Sequence, residues 1–191
     1  VATPLYFLVV SSFKSNAEIV NGPLALPSHV SFDKYVQTQD AIDIIRALAI
    51  SAVVTGVSLC LTILLAYPAA YAIARVRTRW NQLAEAYFGL GFLIPAFALL
   101  VPVFLAIAMI GLLNNPLALI LFYPATGLPI AVLILVRYIQ TIPVDLDESA
   151  AVDGANALQV IRRIIVPLSV PGMVTVAVLN FVGYWNEFLF A

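Results

Sequence analysis

Charge is scarce in these 191 residues: nine Lys and Arg and ten Asp and Glu, 10% in all. Soluble domains carry roughly 25%, so an ordinary water-soluble globule is excluded. The 63% hydrophobic content and mean hydropathy of +1.04 exclude a disordered chain as well. A formal net charge of −1 offers no basic field for nucleic acid. One cysteine (Cys60) and one histidine (His29) exclude a disulfide framework or a zinc cluster within the chain. No Gly-Lys dipeptide is present, so there is no phosphate loop, and neither H-E-x-x-H nor G-x-S-x-G occurs. These absences leave an integral membrane protein without catalytic machinery of its own.

What is abundant is uncharged apolar sequence. A spanning helix needs about 20 such residues, and four stretches reach that length: Ala47–Ala74, Ala86–Leu113, Pro116–Val136 and Ile164–Asn186. None alternates with period 2, which favours helices over barrel strands. The fold expected is all-α, a polytopic transmembrane helical bundle. Residues 1–10 are apolar but too short to cross, and Phe188–Ala191 are still apolar where the sequence stops. With no initiator Met, this reads as a window from a longer protein, with 1–10 the end of a preceding span and 164–191 the last. The complete spans contain no Asp, Glu, Arg or His, which argues against an ion-coupled carrier, since such carriers place coupling charges inside the bilayer.

The positive-inside rule orients the chain. With Arg75, Arg77 and Arg79 inside, the inside set also takes Arg137, Arg162 and Arg163, against Lys14, Lys34 and Arg46 outside. Residues 11–46 are then extracytoplasmic, polar and broken by Gly22-Pro23 and Pro27, and 137–163 form a cytoplasmic loop. That loop predicts two short helices. Thr141 and Pro143 offer a cap and a first-turn proline, followed by Asp145, Asp147 and Glu148 where the helix dipole favours anions. Gly154 occupies a left-handed C′ position. Asn156 caps a second helix with an apolar stripe of Leu158, Ile161 and Ile165. A narrow helix of Ser149, Ala150 and Ala151 closed by glycine suits a groove on another protein. The composition equally fits an amphipathic hairpin on lipid.

Glu148-Ser149-Ala150, three residues, Gly154, nine residues, Ile164, one residue, then Val166-Pro167 resembles the EAA loop of ABC-importer permeases, written E-A-A-x3-G-x9-I-x-L-P. Ser149 and Val166 depart from it with residues of similar size. Asp153-Gly154-Ala155 looks like the carbohydrate, maltose-transport-type branch of these bacterial permeases. Weaker matches run in order along the chain: Ser12-Phe13-Lys14, Leu26-Pro27, Phe32, Tyr35, Ile94-Pro95, Pro102, Gly111-Leu112-Leu113-Asn114, Leu128-Pro129 and Trp185-Asn186-Glu187-Phe188. The resemblance implies the fold of a type I importer permease in the bacterial inner membrane. It also implies partners: ABC ATPase subunits that carry ATP and Mg, a second permease subunit, and an extracytoplasmic substrate-binding protein docked on residues 13–46. It implies that Glu148, Ser149, Ala150, Asp153, Gly154 and Ala155 form the ATPase-coupling contact. A permease for a non-sugar solute is the alternative within the class.

Polar groups inside spans are expensive and therefore informative. Asn180, Tyr184 and Glu187 share a face of the last span at i, i+4 and i+7 and could present amide, phenol and carboxylate to a sugar. An outer-interface belt accounts for the same residues. Thr126, in Pro124-Ala-Thr-Gly-Leu-Pro129, lies either in a discontinuous helix lining the substrate path or beside a plain kink. Thr55, Ser58 and Thr62 read as close helix approach, Cys60 as a small core residue, and His29 as a solvated loop residue.

Overall fold

A computed structural model describes residues 2–76 and 78–190; Arg77 of the inside set lies outside them. Eleven α-helices and one π-helical segment occupy the described residues: α1 Ala2–Ser12, α2 Asn16–Asn21, α3 Asp33–Ile42, α4 Ile44–Arg75, α5 Arg79–Phe92, α6 Ala96–Met109, α7 Pro116–Gln140, α8 Asp145–Val152, α9 Ala157–Val160, the π segment Ile161–Ile165, α10 Val166–Leu168 and α11 Val170–Trp185. They fall into two compact units, Val1–Ile50 and Ser51–Ala191.

The first unit is tied by polar contacts around short helices. Ser15 and Glu18 form a capping box at α2, which satisfies two helix-start N–H groups reciprocally. Glu18 also accepts from the Ser28 hydroxyl and, at 3.2 Å, from its N–H. Lys14 is buried and donates to the carbonyls of Gly22 (2.9 Å) and Pro23 (3.4 Å). Phe13, Phe32 and Tyr35 pack their rings together, with centroids 5.4–6.1 Å apart. Hydrogen bonds from Ser28 and Ser15 lower the Glu18 pKa from 4.5 to about 2. A depressed carboxyl contributes stability above its unfolded pKa and loses it as pH falls through the folded one. Protection of the Ser15 and Ser28 amides against hydrogen exchange is therefore expected to hold down to about pH 4.5 and to decay towards pH 2, with Glu18→Ala unprotected throughout. A variant protected like the wild type would remove Glu18 as the hub.

α4, most of which lies in the second unit, and α7 are each long and apolar enough to cross a membrane, and two bent pairs supply up to two further crossings. α4 begins three residues before the expected span and passes through Pro68 unbroken. The amide of Asn81 reaches back to the carbonyls of Ala72 and Val76, which also accept from the N–H groups of Val76 and Thr78, and so ties the start of α5 to the end of α4. The stretch 86–113 is not one helix. It breaks at Leu93–Pro95 between α5 and α6, with a bend of 100°, because Pro95 disfavours helical backbone at Ile94 and cannot donate to a preceding turn. α7 is the opposite case: one helix from its Asn115 cap and N-terminal Pro116 to Gln140, through both Pro124 and Pro129. The Pro124–Pro129 segment is thus continuous, which excludes the discontinuous-helix reading. α5 and α7 come close where Gly91 faces the Pro129 ring.

The last apolar stretch also breaks, at Ser169, where the segment Ala157–Leu168 turns into α11 through 71°. Pro167 and Pro171 each lack an N–H, so the ladder cannot run straight through. The turn before them widens to π geometry over Ile161–Ile165, with Val166 N–H donating to Ile161 C=O, which relieves the ring of Pro167. Buried Ser169 holds the bend, donating to Ile165 C=O at 2.6 Å and accepting from the Tyr67 hydroxyl at 3.0 Å. The core of this unit gathers Ala66, Ala70, Val132, Leu135, Val136, Ile139, Ile165 and Val176.

Candidate functional site: the α8–α9 loop and the α11 stripe

α8 carries Asp145, Asp147 and Glu148 in its first turn, as expected. Its start differs from expectation. Thr141 closes α7 instead, its hydroxyl bonded to Tyr138 C=O, and Val144 precedes α8 with no side-chain cap. At the other end Gly154 has φ +83°. Its N–H donates to Ala151 C=O at 3.0 Å and that of Ala155 to Ala150 C=O at 2.9 Å, the paired bonds of a Schellman closure. Asn156 and Gln159 then cap α9 reciprocally.

Ala150 is buried with Ile142, Val160 and Ile165 in the core. Glu148, Ser149, Asp153 and Gly154 are exposed, and Ala155 is half-buried. The sequence-predicted set is therefore split: Ala150 seats the loop and the other residues border its outer surface. Leu158 is not part of an inward stripe; it is 62% exposed, while Ile161 and Ile165 turn inward with Val160. Leu158 lies ahead of the π segment and two residues before buried Val160, which puts it on the opposite side of α9 from the core. Leu158 and Val152, the latter 89% exposed, add apolar area next to the acidic groups.

Sequence reasoning missed what holds this loop. Arg75, the last residue of α4, approaches Asp147 with Nε 2.6 Å from Oδ2, and its Nη1 donates to Ile142 C=O at 2.9 Å. The two side chains are 7% and 16% exposed. A second pair, Arg137–Glu85 at 2.7 Å, is 70% and 25% exposed. An exposed pair contributes about 0–1 kcal/mol, whereas breaking a buried one from one side costs about 3–5 kcal/mol. Arg75–Asp147 is therefore the contact that fixes the loop to α4. Along the sequence Arg75 marks topology and Asp147 a helix start, and nothing pairs them, because they lie 72 positions apart.

The α11 stripe assembles, but facing inward. Asn180 and Tyr184 are 5% and 7% exposed. The Tyr184 hydroxyl lies 2.8 Å from Thr62 Oγ1, and the Tyr184 ring stacks on Tyr123 at 5.0 Å. Asn180 Nδ2 donates to Val176 C=O at 3.0 Å. Gly127 makes this possible, since a Cβ there would collide with the Tyr184 hydroxyl and the Asn180 amide oxygen. Thr55, Ser58 and Thr62 are buried. Glu187, half-buried and just past α11, accepts from Tyr123 Oη at 3.2 Å and from the N–H groups of Leu189 and Phe190. Thr126 sits apart, exposed and bonded back to Tyr123 C=O at 2.9 Å. Cys60 is exposed, contrary to its reading as a core residue, because the buried face of α4 runs through Ser58 and Thr62. His29 is exposed between α2 and α3.

Residues 62–191 match the family model described as "Binding-protein-dependent transport system inner membrane component". The chain is 34% identical over 189 residues to the diacetylchitobiose uptake system permease protein NgcG of Streptomyces coelicolor, covering 99% of this chain and 63% of that protein. It is 34% identical to the sulfoquinovosyl glycerol transport system permease protein SmoH of Agrobacterium fabrum (98% and 66%). It is 33% identical to the trehalose transport system permease protein SugB of Mycobacterium tuberculosis (98% and 68%). The chain thus spans about two thirds of the length of these relatives. The fold is shared with a crystal structure of a bacterial ABC transporter involved in alginate import, with TM-score 0.82 and 23% identity over 96% of this chain and 65% of that one. The matched family and the identity to its relatives lead to one conclusion: this chain is a multi-pass membrane protein of the binding-protein-dependent transport system inner membrane component family.

Proposed function

We propose that this permease is the membrane-spanning half of an ATP-driven carbohydrate importer, coupled to a separate ATPase through the α8–α9 loop. The observation that carries the coupling role is the loop's two-sided construction. Ala150 and Ile142 are sunk in the core, while Glu148, Ser149, Asp153, Gly154, Val152 and Leu158 stand together on an outer surface. Acidic groups around exposed apolar ones suit a cleft with basic residues at its rim. The glycine-closed turn lets another backbone come near. On this reading the loop is cytoplasmic, ATP and Mg are bound by the ATPase, and a second, related permease completes the pathway. Residues 13–46 give part of the docking surface for the extracytoplasmic binding protein.

The three relatives described above take their names from glycosides or sugars, which supports a carbohydrate substrate. Tyr184 commits its hydroxyl to Thr62 and Asn180 commits one amide N–H to Val176 C=O, so both serve first as a seam between α4, α7 and α11, and the Asn180 Oδ1 is the polar atom of the pair left for a solute. The test is ATP-dependent uptake in proteoliposomes holding the full-length permease, its partner permease, the ATPase and the binding protein. Competition by a panel of di- and oligosaccharides is expected. Competition by amino acids or phosphoesters alone would overturn the substrate class, and uptake independent of ATP would overturn the coupling.

A further inference from the structure

The Arg75 guanidinium grips the start of the loop at two points, the Ile142 carbonyl before α8 and the Asp147 carboxylate within it. The second grip is incomplete. Nε lies at ion-pair distance from Oδ2 but is not aligned for a hydrogen bond, and the buried Nη2 and Oδ1 have no partner among the described residues. Nε and Nη2 form one edge of the guanidinium, the edge that meets both oxygens of a carboxylate in a fork. A rotation of α8 relative to the end of α4 that closed this fork would give partners to Nε, Nη2 and Oδ1 together. Buried polar atoms left unpaired are costly, so the arrangement seen here favours that neighbouring one as soon as the loop is free to move.

Resting on the coupling role proposed above, we propose that Arg75 is a positioning residue that passes movement of the α8–α9 loop to α4. The Arg75–Asp147 contact goes from a single approach to a two-point fork as the loop is displaced. α4 is the right recipient. The same helix supplies Thr62 to Tyr184 and Tyr67 to Ser169, so a pull on its end reaches both the α11 seam and the bend that begins α11. Lysine at position 75 retains charge but can form neither the fork nor the simultaneous hold on Ile142.

The measurement is solute transported per ATP hydrolysed, in proteoliposomes containing the full-length permease with its ATPase, partner permease and binding protein. Asp147→Asn is expected to retain the ATPase in the purified complex and at least half of its hydrolysis, while transport per ATP falls roughly tenfold. Arg75→Lys should fall between that variant and wild type. The exchange Arg75→Glu with Asp147→Arg should recover severalfold over Arg75→Glu alone. Wild-type transport per ATP in Asp147→Asn or in Arg75→Lys would overturn the proposal. So would hydrolysis and transport falling in parallel in every variant with no recovery by the exchange, since that is the signature of a merely structural pair. A wild-type complex that retains no ATPase would overturn the underlying coupling role first, and this proposal with it.

Discussion

Gly154→Asp is expected to cut uptake at least about tenfold while leaving the amount of permease in the membrane unchanged. At φ +83° the backbone is in the left-handed region, where a side chain costs roughly 1–2 kcal/mol. A Cβ at this position meets nothing within 4 Å, so the cost stays local and the bundle survives. Aspartate tolerates positive φ better than most residues. Its main injury is therefore a negative charge at the carbonyl end of α8, next to Asp153, where the dipole disfavours an anion by about 0.3–1 kcal/mol. It also adds bulk on the exposed turn. Each 1.4 kcal/mol lost at a docking contact is about tenfold in affinity. Uptake should therefore fall by at least about tenfold, measured with labelled solute against an immunoblot of the membrane fraction. Two further variants separate the causes. If backbone conformation decides, Gly154→Asn retains more uptake than Gly154→Ala; if room on the turn decides, the order reverses. Wild-type uptake in Gly154→Asp would remove the turn from the coupling contact.

Gly127→Val is expected to act through the fold instead. The first atom of any side chain at 127 falls on the Tyr184 hydroxyl and the Asn180 amide oxygen. Neither can retreat easily: Tyr184 is backed by the Tyr123 ring at 5.0 Å and bonded to Thr62, and Asn180 is bonded to its own helix. α7 and α11 must then separate. Overpacking of this kind costs about 1–3 kcal/mol, occasionally more, and separation also breaks the Thr62–Tyr184 bond. The expected result is a lower melting temperature of the detergent-solubilised permease and less of it in the membrane. Gly127→Ala with Tyr184→Phe should recover part of what Gly127→Ala loses, because the nearest obstructing atom is gone. Additive effects in that cycle would mean that the two positions are not in contact.

The fold class was legible because it follows from composition: too few charges for water, and stretches of uncharged sequence long enough to cross a bilayer. The turn of the α8–α9 loop was legible for a local reason. A glycine after a short acidic-start helix, followed by an Asn-x-x-Gln cap, specifies its own hydrogen bonds within about six residues, and Gly154, Asn156 and Gln159 make them. Helix continuity was less legible. Pro95 ends a helix whereas Pro124 and Pro129 do not, although each removes one donor. Neighbouring helices decide whether the rest of the ladder holds. Register failed once, at Leu158, because α9 turns the Val160 side to the core and leaves Leu158 on the opposite one.

By itself the sequence determined a multi-pass helical membrane protein with a glycine-closed loop rich in acid at its start, since those depend on composition and on bonds between near neighbours. Only the tertiary structure decided which way the polar groups face and what they touch. Asn180 and Tyr184 turn inward onto Gly127 and Thr62, Cys60 turns outward, and Arg75 reaches Asp147 across 72 positions of sequence. Such pairings are set by which helices lie side by side, and in an apolar environment each polar group is driven to whatever partner that packing brings within reach.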